Sequence, residues 1–370
     1  MNLTPRKPVR FLLPCRPTVH HPQFTSEYIQ NAKNSGRQIQ ITLDTCTILN
    51  IRDFIESNIF TRENANFYGL KELIDLMHSK LVAIAAIGML EIVKKDHFRT
   101  RSAYDKFIDI VWTISMDDEL SSKKPEPKPN KEISFNDMPK KRKEGMANHY
   151  YAMLLLRTIK NTDLAPCDKF DRYLKSLKDH SYAITGFSID IARHIFWGDM
   201  AYLESETING TNRSKLDKSD VYKRYNLYKK TFLKKIPKKI KGIDSNKQFS
   251  MNAAYDLFFT ETTAMHTSVN EKSNVTGLIY ESWIATQDYP LADTIANIYY
   301  RANDGFVIQK SKSESDPDWS TYFEYTDRSI IKLKADISGR LDNLSKSDRK
   351  KRMKNTLNRI HRLEMELFTI

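Results

Sequence analysis

The sequence predicts an α/β protein: a small central parallel sheet flanked by helices, with helical insertions and a largely helical carboxyl-terminal part. Three observations predict it. Residues 38–43, Gln-Ile-Gln-Ile-Thr-Leu, alternate polar and apolar side chains, the period of a half-buried strand. Residues 81–87, Leu-Val-Ala-Ile-Ala-Ala-Ile, form an uncharged run of strand length, as in a strand buried on both faces of a parallel sheet. Between them, Leu70, Leu73, Ile74 and Met77 recur at helical spacing over 68–79.

Residues 1–36 carry Pro5, Pro8, Pro14, Pro17 and Pro22, and predict an extended arm with one short helix over 26–33 capped by Ser26. Residues 37–275 follow as the α/β domain, with insertions at 118–148 and 205–248. A mostly helical region, 276–370, completes the chain. Helices are expected over 101–115, 146–160, 168–178, 189–204 and 291–300. A last one starts near Ser347, with Met353, Leu357, Ile360 and Leu363 on one stripe. Short strands are expected at 182–185 and at 257–259, where Leu-Phe-Phe reads as a buried run. The prolines Pro125, Pro127 and Pro129 mark a loop, and Lys140, Lys141, Arg142 and Lys143 follow it.

A formal net charge of +13, with 59 Lys and Arg, favours a polyanionic partner. Only 11 glycines are present, which argues against a glycine-rich phosphate cradle. Cys15, Cys46 and Cys167 are too few and too scattered for a disulfide framework or a zinc spacing, and predict a reducing, cytoplasmic setting. The apolar run at 11–13 is cut by Pro14 and Arg16, too short for a signal-peptide core, and nothing approaches a membrane span of ~20 apolar residues. No membrane partner is expected; a protein partner or a second copy is compatible with the composition.

Two stretches carry chemistry. In the first, Asp44 follows one strand and Glu91 follows the next. In a parallel β-α-β unit both carboxylates stand at the carboxyl edge of the sheet, where open α/β sheets place ligands. The plainer reading is that Asp44 caps a helix and Glu91 is a first-turn acid favoured by the helix dipole. The second stretch, 221–242, holds Lys223, Arg224, Lys229, Lys230, Lys234, Lys235, Lys238, Lys239 and Lys241 without an acid, interleaved with Tyr222, Tyr225 and Tyr228. Lysines neutralise phosphates and aromatic rings stack on unpaired bases. Lys223, Arg224, Tyr225 and the lysines after them are therefore candidate nucleic-acid contacts, against the alternative of an amphipathic helix with a wet basic face.

Asp44-Thr45-Cys46-Thr47-Ile48-Leu49 after the first strand, with Met89-Leu90-Glu91-Ile92-Val93 after the second, resembles the PIN-domain nucleases. The resemblance implies a metal-dependent endonuclease, acting on RNA rather than DNA. Carboxylates would hold Mg2+ or Mn2+, hard cations that prefer oxygen. It implies Asp44 and Glu91 as the first ligands and a third acid inside a later helix. Asp199 in Gly198-Asp199-Met200-Ala201 fits that place, with Asp190 as its rival. The family's fourth feature is a strand followed by Thr-x-Asp. The run at 257–259 is followed by Thr260-Glu261-Thr262, which departs from it: either Glu261 substitutes, or Asp256 serves, or the fourth ligand is absent. Two other readings stay open. One is a non-catalytic nucleic-acid-binding or effector-partner protein on the same fold. The other is a metal-independent ribonuclease resembling the HEPN type, using Arg142 and His149.

Overall fold

A computed structural model describes residues 4–18, 20–78, 82–92, 94–113, 135–181, 184, 186–207, 220–233, 243–273, 279–301, 305–308, 317–338 and 345–366. The protein is α/β and mostly helical, and its chain divides into two compact units. The first comprises Met1–Ile133 and Phe259–Ile308; the second comprises Ser134–Phe258 and Gln309–Ile370. The expected loop at 121–130 lies outside the described residues, as does most of 182–185.

The first unit is built on a four-stranded sheet. Its strands are β1 (Arg10–Leu12), β2 (Arg37–Leu43), β3 (Val82–Ala85) and β4 (Ile279–Thr286), in the order β1-β4-β2-β3. Strand β2 runs parallel to both β3 and β4, whereas β1 is antiparallel to β4. The sheet is therefore mixed, not wholly parallel as the sequence suggested. The antiparallel member comes from the proline-rich arm and pairs with the edge of β4 that β2 leaves open. A second, two-stranded ribbon joins β5 (Ile298–Arg301) to β6 (Gly305–Ile308).

Alternation in β2 works as expected. Ile39, Ile41 and Leu43 enter a core with Trp283 and Ala285 of β4. Helix α2 (Thr45–Ser57) adds Ile48, Ile51, Phe54 and Ile55 to it, and α4 (Lys71–His78) adds Leu73, Ile74 and Met77. Phe107, Ile110 and Val111 of α5 (Lys94–Thr113) close that side, while α1 (Ser26–Asn34) contributes Ile29 and α3 (Arg62–Phe67) contributes Ala65. Each such side chain, once buried, contributes roughly 1.5–3 kcal/mol. Thr25, one residue before the expected cap, accepts the Tyr28 amide at the start of α1.

The described residues of the second unit form helices and their connections, with no strand among them. It contains α6 (Lys140–Lys160), α7 (Pro166–His180), α8 (Gly186–Thr207), α9 (Asp220–Phe232), the first part of α10 (Ile243–Ser273), α12 (Pro317–Ser338) and α13 (Lys346–Glu366). Ile360 and Leu363 of the predicted last stripe are buried. The cap of α13 is Ser345, whose hydroxyl accepts the Asp348 amide at 3.1 Å.

Two expectations are corrected here. Residues 257–259 are not a strand: they lie inside the 31-residue helix α10. Ala253, Leu257, Thr260, Ala264 and Thr267 are buried at spacings of three and four, a helical stripe that a three-residue apolar run conceals. The carboxyl-terminal part of α10 covers the second face of the sheet, where Phe259 packs with Ile284 of β4, Leu12 of β1, and Leu291 and Ile295 of α11 (Tyr289–Asn297). Conversely, β4 itself had no counterpart in the sequence reading. Among the described residues, no helix is long and apolar enough to cross a membrane.

Candidate functional site

The register of the parallel strands sets the site. Leu43 stands opposite Ala285, and Thr42 stands opposite both Ile284 and Ala85. The carboxyl ends of β2, β3 and β4 are thus level, and the residue after β2 is Asp44. Its backbone amide donates to Ala285 O at 3.1 Å, extending the ladder by one bond. Its side chain caps α2, with Oδ1 accepting the Thr47 amide at 2.7 Å. The other oxygen, Oδ2, accepts the hydroxyl of Thr286, the last residue of β4. One carboxylate thus both caps α2 and joins the end of β2 to the end of β4.

Two residues beyond Thr286 stands Asp288. It caps α11, with Oδ1 accepting the Leu291 amide at 3.1 Å. Burial pushes the Asp44 carboxyl up to about 6, against the opposing hydrogen bonds from Thr286 and Thr47, and the negative charge of Asp288 adds to the rise. The two acids therefore feel each other across the edge. Each also sits at the positive end of a helix, α2 and α11, which favours negative charge there.

Glu91 closes a 3-10 turn, Ile87–Glu91, directly after β3. That turn presses on the start of α2. A Cβ on Gly88 would lie 2.5 Å from the carbonyl carbon of Asp44 and 2.5 Å from the amide nitrogen of Thr45. Thr45 Oγ1 also donates to Gly88 O at 3.1 Å. The backbone of Glu91 is thus on the edge that carries Asp44; its side chain is outside what is described. Glu91, expected as a first-turn acid of a helix, thus ends a tighter 3-10 turn instead.

Glu261 takes a different place. It is buried, at 4% exposure, on α10 over the face of the sheet, and it does not follow a strand. The Thr-x-Asp pattern sought at Thr260-Glu261-Thr262 occurs instead as Thr286-Gln287-Asp288, after β4. What hid it was the preference for a phenylalanine-rich run over Glu281-Ser282-Trp283-Ile284-Ala285, whose polar residues look unlike a central strand. Glu281 is buried in β4 because Arg37, Tyr28 and Trp283 all donate to it, at 2.5, 2.8 and 2.7 Å.

Asp199 lies on α8 in the second unit, its side chain outside the described residues. Its rival Asp190 is interior to that unit. Tyr228 donates to it at 2.8 Å and His194 Nδ1 lies 3.3 Å away. Burial would raise the Asp190 carboxyl, but His194, Arg224 and Arg193 outweigh it and hold the group below the ordinary carboxylate range. This is the partner that a buried Asp requires, and it ties α8 to α9. Asp256, on α10, also falls in the second unit.

The basic stretch is divided by burial. On α9, Arg224 is 8% and Tyr225 2% exposed, so both belong to the interior and Tyr225 offers no face for a base to stack on. A Cβ on Gly198 of α8 would strike the Tyr225 ring, which shows how closely the two helices approach. Lys229 donates to the Tyr225 hydroxyl at 2.8 Å, while Lys223 and Lys230 are exposed. Lys234, Lys235, Lys238 and Lys239 lie outside the described residues. Of the Arg142 and His149 pair on α6, Arg142 donates to the Tyr255 hydroxyl at 2.6 Å, and His149 meets the Phe258 ring edge-on. Each is thus engaged by α10.

Asp44 and Asp288 offer the hard oxygen donors that Mg2+ or Mn2+ prefers. Their carboxylate oxygens keep acceptor capacity beyond the bonds already made. Their mutual repulsion is also what a cation relieves, so the residues fit such an ion. Among the described residues no group of three or more His, Cys, Asp or Glu gathers at metal-holding distance. Comparison with known proteins returns no matching family model, no matching curated protein and no matching solved structure.

Proposed function

We propose that the chain is a metal-dependent endonuclease, acting on RNA in preference to DNA, with its site at the carboxyl edge of β2, β3 and β4. The observation that carries this reading is the hydrogen bond from Thr286 to Asp44, with Asp288 two residues further on. It joins the Asp44 motif to a Thr-x-Asp motif on the neighbouring parallel strand, the two ends of the pattern that the sequence resembles.

In this reading Asp44 and Asp288 hold Mg2+ or Mn2+, with Glu91 the candidate for a third ligand. Such an ion would lower the pKa of a bound water and neutralise charge on the scissile phosphate. The chain's own residues do the rest. Thr286 orients the Asp44 carboxylate. The amino-terminal ends of α2 and α11 provide a positive field in which a phosphate is stabilised beside two carboxylates. Gly88 lets the turn bearing Glu91 come against the Asp44 backbone. The RNA preference rests on the resemblance alone.

The test is cleavage of single-stranded RNA and DNA with Mg2+ or Mn2+, comparing the wild type with Asp44→Asn and Asp288→Asn and measuring binding on the same samples. Metal-dependent cutting that each substitution lowers by at least a hundredfold, with binding retained, is the expected result. A second reading has its own support: both oxygens of Asp44 are already engaged, and only two acids are described at the edge. Under that reading the protein binds nucleic acid without cutting it, and no variant differs from the wild type. Cutting that survives both chelator and Asp44→Asn would overturn the metal mechanism and direct attention to Arg142 and His149.

A further inference from the structure

We propose that Lys7 and Arg10, carried on the ring of Tyr289, form a phosphate-binding rim that brings a single-stranded nucleic acid to the Asp44–Asp288 edge. The inference rests on the reading of that edge as the place where nucleic acid is handled.

Topology puts the rim there. Strand β1 is antiparallel to β4, with Arg10 opposite Thr286. The start of β1 therefore lies at the same edge as the ends of the parallel strands. Lys7 precedes that start, and Tyr289 follows Asp288 directly. The Lys7 ammonium stands 4.5 Å from the centroid of the Tyr289 ring, and the Arg10 guanidinium 5.3 Å from it. Gln287, between Thr286 and Asp288, donates to Lys7 O at 2.6 Å and to Tyr68 O at 3.0 Å. One tripeptide thus engages Asp44 by its first residue and the basic arm by its second.

The cations are not needed to hold the arm down. Its backbone is already anchored: the Arg6 amide donates to Phe67 O at 2.8 Å and the Val9 amide to Gly69 O at 3.0 Å. Gly69, at φ +68, admits the close approach; a Cβ there would sit 2.1 Å from Lys7 O. Lys7 is exposed and Arg10 half-exposed. Arg10 does pair with Asp293 at 2.5 Å, but that acid is itself 51% exposed and leaves the pair open to solvent. Exposed ion pairs of this kind are weak enough to exchange partners. Asp44, by contrast, is recessed, at 6% exposure, and Asp288 is half-buried. A polyanion approaching two carboxylates is repelled; cations on the rim offset that repulsion and raise the local concentration of phosphate. The ring supports both cations, so their positions depend on Tyr289 as well as on charge.

The experiment is fluorescence anisotropy with a labelled single-stranded RNA, and a DNA of the same sequence, in chelator so that no cleavage occurs, over a range of salt. The proteins are the full chain, Lys7→Gln/Arg10→Gln, Tyr289→Leu, and the control Arg62→Gln/Lys71→Gln, which removes the same charge elsewhere on the first unit. Each phosphate contact on a single strand contributes about 0.7 to the log–log salt slope. Lys7→Gln/Arg10→Gln is expected to lower the slope by about 1.4 and to weaken binding roughly tenfold at 0.1 M salt. Tyr289→Leu, with unchanged charge, is expected to weaken binding by at least threefold. The control is expected to stay within twofold of the wild type. An equal loss in the control, or no loss in the first two variants while thermal melts stay native-like, would overturn the proposal. Absence of cleavage in the presence of metal would overturn the nuclease reading alone, because the binding result is obtained without it.

Discussion

Asp44 does two things that oppose each other. As a cap it completes α2, and as a buried acid next to Asp288 it resists ionisation. Its carboxyl, pushed up to about 6 from an ordinary value of 3.8, holds a proton in the folded chain that the unfolded chain has already released. Its contribution to stability is therefore full below about pH 4 and is lost as pH rises through 6; above that the charge costs about 3 kcal/mol. Asparagine keeps an oxygen for the Thr47 amide and carries no charge. In chelator, Asp44→Asn is expected to be more stable than the wild type at pH 7.5 by up to about 3 kcal/mol, with the gap closing by pH 4. Urea unfolding across that range measures it, and a gap that does not change with pH would contradict the burial argument. Millimolar Mn2+ is expected to raise the melting temperature of the wild type and not of the variant, a readout independent of catalysis.

At the scale of elements, the half of the candidate site that is local was legible in the sequence. Residues 38–49 contain a period-two strand, a cap and a helix in succession, so Asp44 declared itself. The uncharged run before Gly88 did the same for β3. The other half depends on a partner far along the chain: β4 carries a buried Glu281 and a serine that make sense only once Arg37 and Tyr28 donate to the acid and Gln40 and His266 meet the Ser282 hydroxyl. Conversely, Leu257, Phe258 and Phe259 suit a strand or a helix equally well, and only the neighbours on the helical stripe decide. Tyr225 looked like a stacking platform because a tyrosine on a basic helix reads the same whether it faces water or Trp197. The turn after β3 makes a prediction of its own. Gly88→Ala places a methyl group where the backbone of Asp44 and Thr45 already lies, so the turn or the start of α2 has to shift. A loss of about 1–3 kcal/mol is expected in chemical denaturation, as for other overpacked sites, together with a loss of Mn2+-induced stabilisation. If stability falls while the metal response is kept, the turn does not shape the site.

For the molecule as a whole, what matters is the order in which the pieces arrive. Strand β4 lies between β1 and β2 in the sheet but comes after the whole of the second unit's first segment in the chain. Residues 1–133 alone hold β1, β2 and β3, with nothing to fill the gap between β1 and β2. That fragment is expected to show no cooperative melt by circular dichroism, whereas the full chain does; a cooperative transition in the fragment would mean that the first unit has a core independent of β4. Both arms of the candidate site, Asp44 with its helix and Thr286 with Asp288, are separated by 242 positions along the chain. A ribosome adding 5–20 residues per second takes roughly 12–50 s to cover that distance. Throughout that interval the nascent chain carries Asp44 without its partner. The edge is therefore assembled late relative to its first half: the cap of α2 can form at once, while the hydroxyl that engages the second Asp44 oxygen arrives only with β4.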